Sequence, residues 1–315
     1  MKLQFDANQD YQLQAIEAIT GIFEGQPLDG ANTRFEIDQE RLQLISGVGN
    51  NLVLSESQII KNLKAVQERN EIPVADKFEG MNFSVEMETG TGKTYVYIRT
   101  LYELNRQFGF KKFVIVVPGV AIREGVLKNL QITHDHFQGL YDKTPLNFQV
   151  YDSKRVSTLR SFATNNNIEI LVININSFAK DENIINRPND KLTGQRPVEF
   201  IQATRPIVIV DEPQNMETEI RKKAIANLTP LCTLRYSATH LNLYNEAYED
   251  FAKTLQTEIE EDCGVSFEGR IKNKKERIRV CYRKGFEADP KFLEIWEHIK
   301  HKTTYRVNYS TDDLM

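Results

Sequence analysis

The run Glu88-Thr89-Gly90-Thr91-Gly92-Lys93-Thr94 constrains this chain more than any other feature. It follows an apolar stretch, Phe83-Ser84-Val85-Glu86-Met87, and precedes a helix-patterned stretch from Tyr95 to Phe108. A strand, a glycine-rich turn ending in Gly-Lys-Thr and a helix make a phosphate-binding loop. Glycines let backbone N–H groups converge on phosphate oxygens without Cβ clashes. The helix that follows offers unpaired N–H groups and the positive end of its dipole to the same anion. The spacing assigns Lys93 to the β- and γ-phosphates and Thr94 to Mg²⁺, with Thr89, Gly90, Thr91 and Gly92 as the backbone cradle. The strict G-x-x-x-x-G-K-[ST] pattern fails at its first glycine, where Met87 stands. Gly90, Gly92, Lys93 and Thr94 are intact.

A second run, Ile207-Val208-Ile209-Val210-Asp211-Glu212-Pro213-Gln214, reads as a buried strand ending in two carboxylates. Asp211 is the candidate Mg²⁺ holder, because this ion prefers oxygen ligands and keeps part of its water shell. Glu212 is the candidate base that orients and deprotonates an attacking water. A third run, Tyr236-Ser237-Ala238-Thr239-His240, follows another apolar strand. The hydroxyls of Ser237 and Thr239 can bond the carboxylate cluster and, with Gln214, couple it to nucleotide state. Near the start of the first helical pattern, Gln12 carries a donor and an acceptor that match the N6/N7 edge of adenine. Phe5, upstream of Tyr11 and Gln12, is a candidate to stack on that ring.

The strand candidates 83–87, 113–117, 168–175, 206–210 and 232–236 are short and rich in Val and Ile, as buried parallel strands are. Helix-like or mixed segments lie between them. The expected fold is therefore α/β, with a doubly wound, mainly parallel sheet. Helical patterns also cover Asp10 to Phe23 and Glu56 to Glu68, the latter inside a polar, loop-rich region from Gly25 to about Gly80. After Tyr244 the pattern changes. Helical patterns at Tyr248 to Glu261 and Asp289 to Lys300 flank a basic stretch, Arg270 to Lys284, whose Arg277-to-Arg283 alternation predicts a half-buried strand. The division expected is a nucleotide-binding domain over 1–245 and a small α+β piece over 246–315.

The net charge of −4 excludes a protein that holds nucleic acid mainly by bulk positive charge. Three scattered cysteines, Cys232, Cys263 and Cys281, have no metal-ligand spacing and suit a reducing cytoplasm. No apolar run approaches a membrane span, and the first residues carry no secretory core. His134-Asp135-His136 reads as surface residues of a polar loop rather than a metal site.

Taken in this order, the motifs resemble superfamily-two helicases, and more closely the Res subunit of type III restriction-modification enzymes. The likeness is carried by Met87 to Thr100, by Val116-Val117-Pro118-Gly119-Val120-Ala121-Ile122-Arg123-Glu124-Gly125 and by Asn174-Ile175-Asn176-Ser177-Phe178. The Asp-Glu-Pro-Gln box and Leu231 to His240 complete it. It covers roughly residues 1 to 245. The resemblance implies a RecA-like P-loop domain, the first motor domain of an ATP-driven translocase on double-stranded DNA. It implies that Gln12 reads adenine. It implies that Pro118, Gly119 and Arg123, and then Asn176 and Ser177, touch the backbone of a DNA strand. It also implies a DNA methyltransferase partner subunit and a cytoplasmic location.

The family's second motor domain, which supplies arginines to the transferring phosphate, has no counterpart motifs here. Ala288 to Val307 resembles a family region normally placed after that domain, so the chain reads as though the domain were skipped between about Tyr244 and Tyr248. The alternative is a nucleotide-binding remnant with negligible turnover. An unrelated P-loop kinase or switch would need an acceptor lid or guanine-reading residues, and neither is evident. The family's nuclease motif, Glu-x-Lys, does not occur, and Asp152-Ser153-Lys154 reads as a solvated turn. Supercoiled plasmid incubated with the purified chain and Mg²⁺ is therefore expected to stay uncut. Cleavage tracking with the protein through purification would contradict that.

Overall fold

The computed structural model describes residues 5–28, 31–37, 45–72, 74, 78, 80–88, 90–192, 194–237, 267–270 and 277–280. Contacts divide the chain into two compact units, Met1–His240 and Leu241–Met315. The first is built on a six-stranded sheet, made of β3 (Asn82–Glu86), β4 (Lys112–Val117), β5 (Leu146–Val150), β6 (Ile168–Asn174), β7 (Ile207–Asp211) and β8 (Cys232–Ser237). The strand order is β3-β8-β7-β4-β6-β5, and every pairing is parallel. β4 and β7 are buried along their whole length, which is why they read as unbroken apolar runs.

Successive side chains of a strand face opposite sides of the sheet. Phe113, Ile115 and Val117 of β4 accordingly join one core, with Ile207 and Ile209 of β7. Val114 and Val116 join a second core, with Val208 and Val210. The first is covered by α1 (Asp10–Ile22), α3 (Lys93–Phe108), α4 (Val120–Ile132) and α5 (His134–Leu140). The second is covered by α6 (Thr158–Thr164), α7 (Pro197–Ala203) and α8 (Glu219–Asn227). Two helical layers enclosing a mostly buried sheet make the doubly wound, RecA-like α/β fold. α2 (Glu56–Arg69), capped by the Ser55 hydroxyl on the Gln58 amide, packs on α1. Among the described residues no helix is long and apolar enough to cross a membrane.

Three elements depart from the sequence reading. The polar region after Gly25 contains an antiparallel hairpin, β1 (Asn32–Ile37) and β2 (Ile45–Asn50). β5 is an additional sheet strand, at the edge opposite β3 and only partly buried. His134, Asp135 and His136 lie in a helix, α5, not a loop, and His136 Nε2 is 2.9 Å from the Tyr95 hydroxyl. In the second unit, β10 (Arg277–Val280) covers part of the expected strand and pairs antiparallel with β9 (Phe267–Arg270), which lies outside it. The expected helices at 248–261 and 289–300, the family-like segment 288–307 and the skipped-domain junction lie outside the described residues.

The amino-terminal edge of the sheet is held by polar groups. The Asn50 side chain donates to the Lys112 carbonyl at 2.7 Å and accepts from the Lys111 and Lys112 amides at 2.9 and 3.1 Å. Lys112 is fully buried. Its ammonium donates to the Phe162 carbonyl at 2.6 Å and to the Asn165 carbonyl, where the last carbonyls of α6 lack helical partners. Burial lowers its pKa to about 8, while the nearby Glu169 pulls the other way and Lys111 adds to the depression. A lysine whose folded pKa lies below its ordinary 10.5 leaves the unfolded chain holding more protons between those values. Stability should therefore climb with pH between about 8 and 10.5 through this group. Urea unfolding across that window should show a flatter pH dependence for Lys112→Met than for the unaltered chain. Equal slopes would remove Lys112 as the cause.

Candidate active site

β3 runs into the glycine-rich turn, and α3 starts at Lys93. Gly90 and Gly92 sit at φ +87° and +88°, in the left-handed region that L side chains avoid. Gly92 caps α3 without a side-chain bond, so the first amides of the helix face outward as donors for an anion. Thr91 closes the turn through its hydroxyl on the Glu88 carbonyl at 2.7 Å. Thr89 lies outside the described residues. The Gln12 amide nitrogen donates to the Thr91 carbonyl at 2.9 Å, and the Tyr11 hydroxyl reaches the same carbonyl at 3.2 Å. α1 is thereby tied to the loop. Phe5 is stacked on Tyr95, with centroids 6.0 Å apart and an interplanar angle of 16°, and it also meets His136 at 5.3 Å.

The tip of β7 lies against this loop. Lys93 Nζ is 3.1 Å from Glu212 Oε1. Glu212 holds φ +58° and ψ +60°, a left-handed conformation costing a non-glycine residue about 1–2 kcal/mol. Its amide donates to the Tyr236 carbonyl at 3.2 Å, its Oε2 accepts from the Gln214 side chain, and Ser237 Oγ donates to Gln214 Oε1 at 3.0 Å. Thus Lys93, Glu212, Gln214 and Ser237 form one chain of contacts across the ends of β3, β7 and β8. Thr239 lies outside the described residues.

Asp211 is buried, and Tyr97 donates to its Oδ2 at 3.1 Å. Burial lifts its pKa to about 6; the Glu212 charge pushes the same way, and the Tyr97 bond, Lys93 and the Glu212 amide oppose it. Tyr97 is fully buried, and its own pKa is raised well above the ordinary value, first by burial and then by the Asp211 charge. Tyr97 belongs to no motif, and its one signal in the sequence is a position four residues after Lys93, on the same face of the helix.

The oxygen donors here, the Thr94 hydroxyl with the Asp211 and Glu212 carboxylates, are hard ligands of few charges. They fit Mg²⁺ brought in on a phosphate, an ion usually held by one or two carboxylates besides phosphate and water.

The remaining candidates stand at the ends of other strands. Pro118 and Gly119 follow β4, and Arg123 lies in the first turns of α4, paired with Glu124 at 2.8 Å. Asn176 and Ser177 form the 3-10 turn after β6, where the Asn176 amide donates to Asn174 Oδ1 at 2.9 Å. Arg123, Asn176 and Ser177 line one groove of about 890 Å³, together with Tyr151 and Arg155. None of the residues around Lys93 lines it.

A Cβ on Gly92 would lie 2.8 Å from Gln12 Nε2, whereas one on Gly90 would meet nothing within 4 Å. Gly90→Ala should therefore cost about 1 kcal/mol of backbone strain alone. Gly92→Ala should cost about 1 kcal/mol more, because it also displaces Gln12 from the Thr91 carbonyl. Urea unfolding of the two variants measures the difference, and equal losses would contradict the Gln12 contact.

A family model described as type III restriction enzyme, res subunit, matches residues 8–242. The EcoPI Res subunit of Escherichia phage P1 is 29% identical over 281 residues, spanning 80% of this chain and 27% of that protein. The StyLTI Res subunit of Salmonella typhimurium is 36% identical over 180 residues, spanning 50% of this chain and 18% of that protein. The chain thus spans about a quarter or less of the length of these relatives. Among solved structures, the Sulfolobus solfataricus SWI2/SNF2 ATPase core in complex with dsDNA is 16% identical, covering 51% of this chain and 28% of that one, at a TM-score of 0.34. A likeness that distant carries nothing further.

Proposed function

The chain belongs to the Res-subunit family of type III restriction enzymes, and from that premise we propose that it is the ATP-hydrolysing first motor domain of a translocase on double-stranded DNA. The observation that carries this reading is the meeting of Lys93 with Glu212 at 3.1 Å, beside buried Asp211. Phosphoanhydride hydrolysis needs charge stabilisation at the phosphate and a base for the water, and these residues supply both.

In this reading the backbone amides from Thr89 to Gly92 cradle the phosphates and Gln12 reads the adenine edge. Lys93 leaves Glu212 for a phosphate oxygen, which also frees Glu212 to take a proton from the attacking water. The water oxygen bonds to the γ-phosphorus, the bond to the bridging oxygen breaks, and ADP leaves. Thr94 and Asp211 would hold Mg²⁺, which would neutralise charge on the phosphate oxygens. Gln214, Ser237 and Thr239 relay the change at Glu212 to the end of β8. Pro118, Gly119, Arg123, Asn176 and Ser177 hold the backbone of one DNA strand. A methyltransferase subunit is the expected partner, and the cytoplasm the expected location.

ATP turnover measured with and without duplex DNA tests the proposal. Turnover that rises with DNA, falls by about two to three orders of magnitude in Lys93→Ala, and loses its DNA response in Arg123→Ala is the expected pattern. An ATP preference over GTP that disappears in Gln12→Ala belongs to the same pattern. Nucleotide binding without any turnover sensitive to Lys93→Ala would replace the motor by a nucleotide-binding module.

A further inference from the structure

Tyr97 stands one helical turn beyond Lys93 and Thr94 and is fully buried. A buried phenol is costly unless its hydroxyl is hydrogen-bonded. Its partner is a carboxylate: it donates to Asp211 Oδ2 at 3.1 Å. A phenol has a single proton, and Asp211 as a carboxylate can only accept it. The direction from Tyr97 to Asp211 is therefore fixed.

That direction matters at the front of the site. Asp211 uses Oδ2 on the phenol, and that bond sets the plane of the carboxylate and hence the direction in which Oδ1 is offered. Tyr236 of β8 meets the Tyr97 ring edge-on, with centroids 5.5 Å apart, and its own hydroxyl bonds Thr100 at 3.4 Å. Packing from the sheet thus holds the Tyr97 ring in place.

We propose that Tyr97 is a positioning residue that orients the Asp211 carboxylate as an oxygen donor for the Mg²⁺ of a bound Mg·ATP. The assignment rests on the nucleotide reading above. It gives α3 a second task. The helix presents Lys93 to the phosphate and, through Tyr97, sets the carboxylate that takes the metal. A core-filling tyrosine would predict none of this.

The test compares binding of a non-hydrolysable ATP analogue with excess Mg²⁺ and with EDTA, by calorimetry. The ratio of the two affinities is the benefit conferred by the metal. Tyr97→Phe keeps the ring and its contact with Tyr236 but removes the hydroxyl. It should cut that benefit roughly tenfold, the loss of one hydrogen bond to a charged group, and leave the affinity in EDTA unchanged. Tyr236→Phe deletes an equally buried phenol that does not touch Asp211, and it should leave both affinities unchanged. Thermal unfolding of both variants without nucleotide compares their stability. A metal benefit in Tyr97→Phe equal to that of the unaltered chain, or an equal loss in Tyr236→Phe, would overturn the assignment. Lys93→Ala separates the two readings. If it binds the analogue as tightly as the unaltered chain, the nucleotide site itself is wrong and Tyr97 falls with it. If it loses binding while Tyr97→Phe keeps the full metal benefit, only the role of Tyr97 is refuted.

Discussion

The parallel pairing of β3, β8 and β7 is the constraint on which the rest of the molecule depends. Parallel strands end on the same edge of a sheet, so the turn after β3 and the acidic tip of β7 must emerge together. One strand separates them, and neighbouring strands lie about 4.8 Å apart, so the two backbones are offset by roughly 10 Å. A lysine and a glutamate extended toward each other span that gap. The contact of Lys93 with Glu212 at 3.1 Å is thus a consequence of strand order. An antiparallel β7 would have carried Asp211 and Glu212 to the other end of the sheet.

This arrangement concentrates cost in one place. Asp211 is buried beside a second carboxylate, which raises its pKa, and Glu212 holds a left-handed backbone. Both are sustained by neighbours that over-determine them. Tyr97 bonds Asp211, while Lys93, Gln214 and the Tyr236 carbonyl fix Glu212. Strained and desolvated groups persist only where the surroundings hold them, and they concentrate where chemistry is done. The apolar strands behind them supply that rigidity.

What could be read from the sequence follows the same physics. β4 and β7 are buried on both faces, so their composition alone marks them as strands. The Gly-Lys-Thr turn is legible because its backbone needs glycine at Gly90 and Gly92. β5 escaped because it is an edge strand, where Asn147 and Gln149 break the apolar run. The β1–β2 hairpin escaped because its specificity is polar. Asn50 pairs with the start of β4 far along the chain, a contact with no local signature. Tyr97 escaped for a related reason. Its role depends on a carboxylate more than a hundred residues away, brought near only by the sheet.

The groove beside Arg123 and the site beside Lys93 share no lining residue, yet adjacent strands position both. β4 and β7 are paired along their length, with Val116 opposite Val210. Asp211 therefore ends one strand while Val117 and Pro118 end its immediate neighbour. A fully buried pair of strands is close-packed on both faces and cannot shift one member without the other. The turns beyond the strand ends are Pro118–Gly119 on one side and the 3-10 turn Pro213–Asn215 on the other. The first of these turns leads directly into the helix that carries Arg123. The Lys93–Glu212 contact and the groove are in this sense positioned by one pair of hydrogen-bonded strands, whose closing turns lead to the one and to the other.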